Sequence, residues 1–343
     1  GEVSESELFA RKVSGADVAG TVAEIIADVR ENGDAALKKY NEKFDRCSCE
    51  SLLVSDEEFD AAVEAVGPEL LRVLERSAGN IREYHLRQVR HDYIVTAEDG
   101  SVLGQRVLPM ARVGLYVPGG TAAYPSSVLM NAIPAKIAGV GEIVMTTPAS
   151  GGEVSPAILA AAKVAGVDRV FKVGGAQAVA ALAYGTESVP RVDKIVGPGN
   201  AFVAEAKRQV YGQVAIDMIA GPSEILIVSD GKTSAKWLAA DMLSQAEHDK
   251  LATAILITDS MEQALAVRSE LERQLAALPR EEIARASIEN NGKIIVAGDL
   301  EDAVAIANEI APEHLELCVD APFDYLGRVR NAGSIFLGRY SPE

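Results

Sequence analysis

The sequence predicts an α/β protein with mainly parallel sheets, preceded by N-terminal helices. Three observations support this fold class. Short apolar runs alternate with alanine-rich helical patterns from residue 111 to residue 230, as they do in βαβ units. The alternation begins again after residue 233, and the first hundred residues instead carry helical periodicity. The chain has 343 residues, enough for about two domains, each with its own core.

The N-terminal part is predicted to contain two long helical segments. Aliphatic residues from Val18 to Val29 recur at helical spacing and end at Asn32-Gly33, a pair that suits a helix C-cap. A second, charged and periodic run extends from Asp56 to about Arg90. Gly67-Pro68 predicts a break within that run.

The middle part is predicted to form one parallel sheet with helices on its faces. The expected strands are Val113–Val117, Glu142–Thr146, Arg169–Val173, Lys194–Val196 and Glu224–Val228. The expected helices are Ser126–Gly139, Ser155–Gly166, Ala176–Tyr184 and Asn200–Tyr211.

The last part repeats this plan after Thr233. A helix from Ser234 precedes the expected strands Leu251–Thr258, Lys293–Val296 and Ser334–Leu337, with helices at Met261–Leu275 and Leu300–Ile310. We expect residues 1–112 to pack with 234–343 as one discontinuous α/β domain. Residues 113–233 would then form an inserted α/β domain.

Composition excludes several classes of partner. The net charge of −17 argues against nucleic acid or an anionic membrane. No apolar run approaches the roughly 20 residues of a membrane span. Cys47, Cys49 and Cys318 make a poor disulfide framework, so free thiols in a reducing compartment are expected. The first residues are acidic and polar, unlike a signal peptide, which predicts a cytoplasmic location.

Three glycine-rich turns follow predicted strands: Tyr116-Val-Pro-Gly-Gly120, Val173-Gly-Gly-Ala-Gln177 and Val196-Gly-Pro-Gly-Asn200. Backbone N–H groups at a following helix N-terminus can receive a phosphate or carboxylate. None of the turns is Gly-x-Gly-x-x-Gly, and any one alone is more often a simple connection. Three of them at strand carboxyl ends favour a ligand crevice. In Ala220-Gly-Pro-Ser-Glu224, Ser223 either closes a turn or meets the substrate.

Two further segments carry polar side chains that suit chemistry. Gln245 and His248 lie three residues apart at the end of a helical run, so they could present two donor atoms to one point. Zinc normally takes three or four protein ligands, so this pair only begins a site, and its spacing alone favours a solvated helix face. Glu313 and His314 follow Pro312 at a helix-to-strand junction. Neighbouring strand residues point to opposite faces, so both serve one site only if the junction is turned.

These segments together resemble the histidinol dehydrogenase family over nearly the whole chain from about residue 5. The resemblance rests on six motifs: Gly114-Leu-Tyr-Val-Pro-Gly-Gly120, Gly185-Thr-Glu-Ser-Val-Pro-Arg-Val-Asp-Lys194, Val196-Gly-Pro-Gly-Asn-Ala-Phe202, Ile216-Asp-Met-Ile-Ala-Gly-Pro-Ser-Glu224, Ser244-Gln-Ala-Glu-His-Asp249 and Ala311-Pro-Glu-His-Leu-Glu316. Motifs of this length in this order are highly specific.

The resemblance implies a homodimer that uses NAD and zinc and oxidises the small molecule L-histidinol to L-histidine in two hydride transfers. It also implies two Rossmann-like domains, with the inserted one binding the nucleotide. Carried over by position, the site residues are Tyr116, Gln177 and Asn200 for NAD; Ser223, Gln245, His248 and His314 for substrate; Gln245 and His248 for zinc; and Glu313 with His314 as the acid/base pair. We expect the last four residues to line one crevice at the mouth of the middle sheet.

The chain departs from the family in one respect. Family members continue past Ser341-Pro-Glu343 and supply further zinc and substrate ligands there, so the chain by itself is expected to be inactive. Two alternatives remain. A related dehydrogenase would oxidise another small polar alcohol, such as a sulfonated propanediol. A metal-dependent hydrolase or lyase would use Gln245, His248 and Glu313 without a nucleotide.

Overall fold

The structure, a computed structural model, describes residue 9 and residues 18–119, 124–219 and 221–342. Gly120 and Ala220 of the glycine-rich motifs, and the acidic N-terminal residues, lie outside this part. The described chain divides into two compact units, one ending at residue 219 and the other beginning at residue 221. Each unit contains a five-stranded sheet in which every strand pair is parallel. The predicted α/β class is therefore confirmed.

The first unit begins with helix α1 (Ala19–Tyr40), a π-helical turn (Asn41–Asp45) and helix α2 (Asp56–Leu86). Gly33 interrupts α1 with φ 49°, and Gly67 interrupts α2 with φ 70°. Both glycines have a positive φ that other residues rarely adopt, which explains the predicted break at Gly67-Pro68. At Asn32-Gly33, where a helix end was predicted, the helix kinks and continues to Tyr40. Ser55 begins α2 with a capping box that it forms with Glu58.

A hairpin of β1 (Tyr93–Thr96) and β2 (Val102–Gln105) follows α2. All eight of its residues are exposed. The sequence did not predict this hairpin, because neither strand alternates between a buried and a solvated face.

The first sheet has the strand order β5-β4-β3-β6-β7. Its strands are β3 (Arg112–Tyr116), β4 (Glu142–Thr147), β5 (Arg169–Lys172), β6 (Lys194–Val196) and β7 (Ala215–Ile216). The helices between them are α3 (Pro125–Ile137), α4 (Pro156–Ala165), α5 (Gly175–Tyr184) and α6 (Ala201–Val210). Helices α1, α5 and α6 share one apolar cluster with this sheet, and α2, α3 and α4 share another.

The N-terminal helices therefore belong to the first unit. Val22 and Val29 of α1 are buried with residues of α5, and Ala62 and Leu74 of α2 are buried with residues of α4. This differs from the expected domain formed by residues 1–112 and 234–343, with 113–233 as an insertion. The physical reason is that periodicity shows which face of a helix is apolar, but not which sheet that face will cover.

The second unit repeats the topology of the first, with the strand order β10-β9-β8-β11-β12. Its strands are β8 (Glu224–Ser229), β9 (Thr253–Thr258), β10 (Lys293–Val296), β11 (His314–Cys318) and β12 (Ser334–Leu337). Its helices are α7 (Ala235–Ala246), α8 (Met261–Leu275), α9 (Glu281–Asn291), α10 (Leu300–Ile310) and α11 (Pro322–Leu326). In both sheets the chain starts at the central strand, moves outward over two strands, and then returns to the other side. The expectation of two α/β units of similar plan is confirmed.

The cysteines differ from expectation. Cys47 and Cys49 form a disulfide, with their Cα atoms 5.6 Å apart, a separation within the range that a disulfide spans. The prediction of free thiols is wrong for these two residues, because the turn after the π-helical segment brings them together. Cys318 is a buried free thiol. Among the helices that the structure describes, none is both long enough and apolar enough to cross a membrane.

Candidate functional site

Three predicted site residues of the first unit lie at the carboxyl ends of its strands. Tyr116 is the last residue of β3, Gln177 lies in the first turn of α5 after β5, and Asn200 caps α6 after β6. β3 pairs directly with β6, and β4 separates β3 from β5. The three residues therefore share the sheet edge at which open α/β sheets bind ligands.

Tyr116 and Gln177 are both buried around the turn that begins α5. The hydroxyl of Tyr116 accepts a hydrogen bond from the backbone N–H of Gly175 at 3.2 Å. Burial, with a contribution from the charge of Asp45, raises the pKa of Tyr116 to about 12. Gln177 is 1% exposed, and its Nε2 atom has no hydrogen-bond partner in the described structure. A buried amide donor without a partner is costly, which indicates a place for a ligand or water.

Asn200 has a structural role in the described chain. Its Oδ1 atom accepts hydrogen bonds from the backbone N–H groups of Phe202 and Val203, each at 3.1 Å. These bonds make it the N-cap of α6. The cap uses the amide oxygen, so a ligand would meet the amide nitrogen.

Two residues that sequence reasoning missed hold the turn before Asn200. Asp217 accepts a hydrogen bond from the Gly197 N–H at 2.8 Å, and Lys207 Nζ donates to the Gly197 carbonyl at 2.9 Å. Lys207 and Asp217 also form an ion pair, and Lys207 is 2% exposed. The available signal was a lysine on the buried face of α6, one position after Ala206 and three before Val210.

Gly197 is required at its position. Its φ is 116°, and a Cβ atom there would overlap the carbonyl oxygen of Tyr116. Glycine therefore allows the turn after β6 to press against the end of β3. The motif Val196-Gly-Pro-Gly-Asn200 thus brings Asn200 and Tyr116 to one edge.

The remaining predicted residues lie in the second unit, at the amino ends of its strands. His314 is the first residue of β11, and Ser223 directly precedes β8. Gln245 lies in the last turn of α7, and His248 lies in the turn that leads to β9. This differs from the expected position on the middle sheet. The strand amino ends receive these residues because a crossover helix runs antiparallel to its strands, so α7 ends where β9 begins.

His314 lies on the face of the sheet that α7 covers. Leu315 and Leu317 belong to the apolar cluster on the α10 face, whereas Cys318 belongs to the cluster that contains α7. Since strand side chains alternate, His314, Glu316 and Cys318 share the α7 face. The His314 ring also packs edge-on against Phe336, with ring centroids 6.1 Å apart.

A hydrogen bond between Asp241 of α7 and Glu316 of β11 fixes the alignment of these elements. Gln245 lies four residues beyond Asp241, about 6 Å along the helix. His314 lies two residues before Glu316, about 6.6 Å along the antiparallel strand. The two displacements match and run in the same direction. Gln245 on the helix and His314 on the sheet therefore lie at about the same position along the strand axis.

The junction before β11 is turned, as a shared site for Glu313 and His314 requires. Ala311 ends α10 in the left-handed conformation with φ 54°. The backbone carbonyl of Glu313 accepts from Ser334 N–H at 2.8 Å, and its carboxylate accepts from Glu224 N–H at 3.3 Å. Glu313 is exposed and His314 is partly buried. Glu313 is therefore held against the start of β8.

Gln245 and His248 are the two predicted zinc ligands. Gln245 is 2% exposed, His248 is exposed, and the His248 N–H bonds to the Gln245 carbonyl at 3.2 Å. Within the described ranges no group of three or more His, Cys, Asp or Glu side chains is placed to hold a metal. A tetrahedral zinc site takes four ligands, so this pair could supply at most half of one.

Ser223 stands at the same edge of the second sheet. Its backbone carbonyl accepts a hydrogen bond from the Thr253 N–H at 3.1 Å, which ties the approach to β8 to the start of β9. The side chain is partly exposed. Ser223, Gln245, His248, Glu313 and His314 are therefore gathered around β8, β9 and β11.

Comparison with known proteins gives a consistent result. The family model described as histidinol dehydrogenase matches residues 9–343. Histidinol dehydrogenase from Syntrophotalea carbinolica is 58% identical, covering 94% of this chain and 75% of its own length. Histidinol dehydrogenase from Geobacter metallireducens is 54% identical, and the match covers 96% of this chain and 76% of that protein.

Solved structures agree with these sequence matches. The crystal structure of histidinol dehydrogenase from Elizabethkingia anophelis has a TM-score of 0.94 and 37% identity, covering 98% of this chain and 78% of that one. An NAD-dependent aldehyde dehydrogenase from Sinorhizobium meliloti has a TM-score of 0.52 and 14% identity, covering 95% of this chain and 80% of that chain. The second likeness shows a shared fold alone.

Proposed function

Because the chain belongs to the histidinol dehydrogenase family, we propose that it oxidises L-histidinol to L-histidine through an aldehyde, in two NAD-dependent hydride transfers of histidine biosynthesis. The observation that carries this proposal is the family match over residues 9–343. The gathering of Glu313, His314 and Gln245 at one sheet edge supports it.

His314 is proposed as the base for the first oxidation. When hydride leaves the alcohol carbon, the hydroxyl must lose its proton, and the imidazole of His314 accepts that proton. Histidine suits this task because it changes protonation near neutral pH. Its position at the first residue of β11, against Phe336, fixes the ring at the amino edge of the sheet.

Glu313 is proposed to act on the aldehyde. Addition of water to the aldehyde gives a hydrate, which loses a second hydride and, from its two hydroxyls, two protons that pass to solvent, and so becomes a carboxylate. A carboxylate at Glu313 removes a proton from the attacking water as its oxygen bonds to the aldehyde carbon. The exposure of Glu313 at the turned junction leaves it accessible to that water.

Tyr116, Gln177 and Asn200 are proposed to hold the nucleotide. NAD, when bound, accepts the hydride in each oxidation. The unpartnered Nε2 of Gln177 supports such a site, since it supplies a buried donor beside the Tyr116 hydroxyl. The three residues orient the nucleotide at the carboxyl edge of the first sheet, and glycines let it approach the backbone.

Gln245 and His248 are proposed as two of the zinc ligands. Zinc, when bound, would supply a template that positions the substrate. Gln245, His248, His314 and Ser223 would orient the substrate at the same edge. We further propose a cytoplasmic homodimer that acts on a small molecule, with neither nucleic acid nor membrane as a partner, in keeping with the net charge of −17.

Turnover of L-histidinol by the full-length enzyme tests the function. NADH formation should fall by about 10²–10⁴-fold in His314→Asn, the range expected for loss of a general base. His85→Asn is the matched control, because His85 lies on α2 of the first unit, outside all proposed sites. Undiminished turnover in His314→Asn would remove the base role. NADH formation from a sulfonated propanediol but not from L-histidinol would show that L-histidinol is not the substrate.

A further inference from the structure

Two oxygen acceptors lie buried and unpartnered beside the proposed nucleotide site. They are Oδ1 of Asn41 and Oδ2 of Asp45, neither of which has a hydrogen-bond partner among the described residues. Asn41 is 1% exposed, and its Nδ2 atom donates to the carbonyl of Lys172 at 2.6 Å, at the end of β5. Burying an acceptor without a donor is energetically costly, so two such atoms call for an explanation.

Both residues come from the π-helical turn Asn41–Asp45 that follows α1. A π-helix bonds residues five apart, so its first and fifth residues lie about one turn apart on the same side. The turn ends at Arg46, which has φ 53°. Such turns are rare and occur frequently at functional sites. The π-helical geometry thus places the Asn41 amide and the Asp45 carboxylate together.

This pair adjoins residues already assigned to the nucleotide. Asp45 is close enough to Tyr116 for its charge to contribute to the raised pKa of that residue. That hydroxyl is bonded to Gly175 N–H, two residues before Gln177, whose Nε2 is the unpartnered donor. The amide of Asn41 is anchored at Lys172, three residues before Gly175. Two acceptors and one donor therefore surround the turn between β5 and α5.

We propose that Asp45, with Asn41, binds the 2′- and 3′-hydroxyls of the adenosine ribose and selects NAD over its 2′-phosphorylated form. A vicinal diol supplies two O–H donors, which match the two unpartnered acceptors. In nucleotide-binding α/β folds an acidic residue commonly accepts from the ribose 2′-hydroxyl. A carboxylate opposed to a 2′-phosphate instead adds like-charge repulsion. This inference rests on the proposed nucleotide-dependent function.

The competing role for Asp45 is purely structural. Its backbone carbonyl does accept from the Gly151 N–H at 3.3 Å. That bond uses the main chain and would remain after a side-chain replacement. Burial also raises the pKa of Asp45, as expected where a carboxylate is removed from water. A ligand assay separates the two roles.

Calorimetric titration of the full-length protein with NAD, 2′-deoxy-NAD and NADP tests the proposal. The unaltered protein should bind NAD about tenfold or more tightly than either analogue. Asp45→Asn should weaken NAD binding by about tenfold, so that the variant binds NAD and 2′-deoxy-NAD with nearly equal affinity. The variant should also discriminate less between NAD and NADP, so the ratio of these two affinities should fall. The matched control is Glu42→Gln, an exposed residue of the same π-helical turn, which should leave all three affinities unchanged.

The possible results separate a failure of the ribose assignment from a failure of the proposed NAD-dependent function. Equal affinity of the unaltered protein for NAD and 2′-deoxy-NAD overturns the ribose assignment without requiring any variant to fold. An unchanged NAD/NADP ratio in Asp45→Asn overturns the selective role of Asp45. Binding of none of the three nucleotides would contradict the nucleotide-dependent function itself, and this inference with it.

Discussion

Asp241 and Glu316 share a hydrogen bond that joins helix α7 to strand β11. Glu316 is 0% exposed, and the Cys318 thiol lies 3.7 Å from its Oε2. Burial raises the pKa of Asp241, which favours a proton on the pair. This bond sets the level of Gln245 against His314. The partly buried Asp241 and the buried Glu316 take no direct part in the proposed chemistry, but their bond aligns two residues that are proposed to do so.

Replacing Asp241 should show how much this bond stabilises the second unit. In Asp241→Asn the amide can still donate to Glu316, so the free energy of unfolding should change by less than about 1 kcal/mol. In Asp241→Leu the buried Glu316 has no such partner, so the free energy of unfolding should fall by about 2–3 kcal/mol. Urea unfolding of the two variants measures the difference. Equal stability of the two variants would show that the bond contributes little.

The same pair predicts a pH dependence. The pKa of Asp241 in the folded state is raised above its ordinary value of 3.8. The folded protein thus holds this proton more tightly than the unfolded chain does. The stabilising contribution of the protonated Asp241 is complete below about pH 3.8, and it is lost as the pH rises through the folded-state pKa. The free energy of unfolding of the unaltered protein, relative to Asp241→Asn, should fall as the pH rises above about 4. A pH-independent difference would contradict this.

Gly197→Ala should disturb the edge of the first sheet. A methyl group there would overlap the Tyr116 carbonyl, and φ 116° strains any side chain. We expect stability to fall by more than about 1 kcal/mol and nucleotide affinity to fall as well. Gly79→Ala is the matched control, since a Cβ on this α2 residue meets nothing within 4 Å. It should raise stability by about 0.5–1 kcal/mol. Thermal unfolding and NAD titration test both variants.

Lys207→Met should loosen the turn that Gly197 begins. The substitution removes the bond to the Gly197 carbonyl and leaves Asp217 without its ion-pair partner. Because Asp217 is about a quarter exposed, the expected loss is about 2–3 kcal/mol, less than for a fully buried pair. Adding Asp217→Asn should recover part of it, as a double-mutant cycle in urea would show. Strictly additive losses would mean that the two residues act independently.

Much of the secondary structure could be predicted from the sequence. The helices Met261–Leu275 and Leu300–Ile310 have the predicted bounds, and strand Lys194–Val196 does as well. These segments combine clear periodicity with distinct ends. The hairpin Tyr93–Thr96 and Val102–Gln105 was missed because its residues are exposed on both faces.

The sequence predicted which residues form the candidate site, but not how they are arranged in space. Tyr116, Gln177 and Asn200 follow strand ends, and that position was readable from the glycine-rich turns. The acceptors of Asn41 and Asp45 carried no such signal, because they lie in a π-helical turn more than 60 residues before the first of those motifs. Lys207 looked like one more charge on a helix, and only its burial shows that it holds the turn at Gly197.

The sequence by itself determined the α/β class, most strands of the two parallel sheets, and the family. These properties depend on local periodicity and on contiguous motifs, which neighbouring residues carry. Tertiary structure alone decided that the N-terminal helices cover the first sheet, that Cys47 joins Cys49, and that Gln245 and His314 both lie at the strand amino ends of the second sheet. Each of these depends on which surfaces pack together, and packing compares energies between segments far apart in the chain.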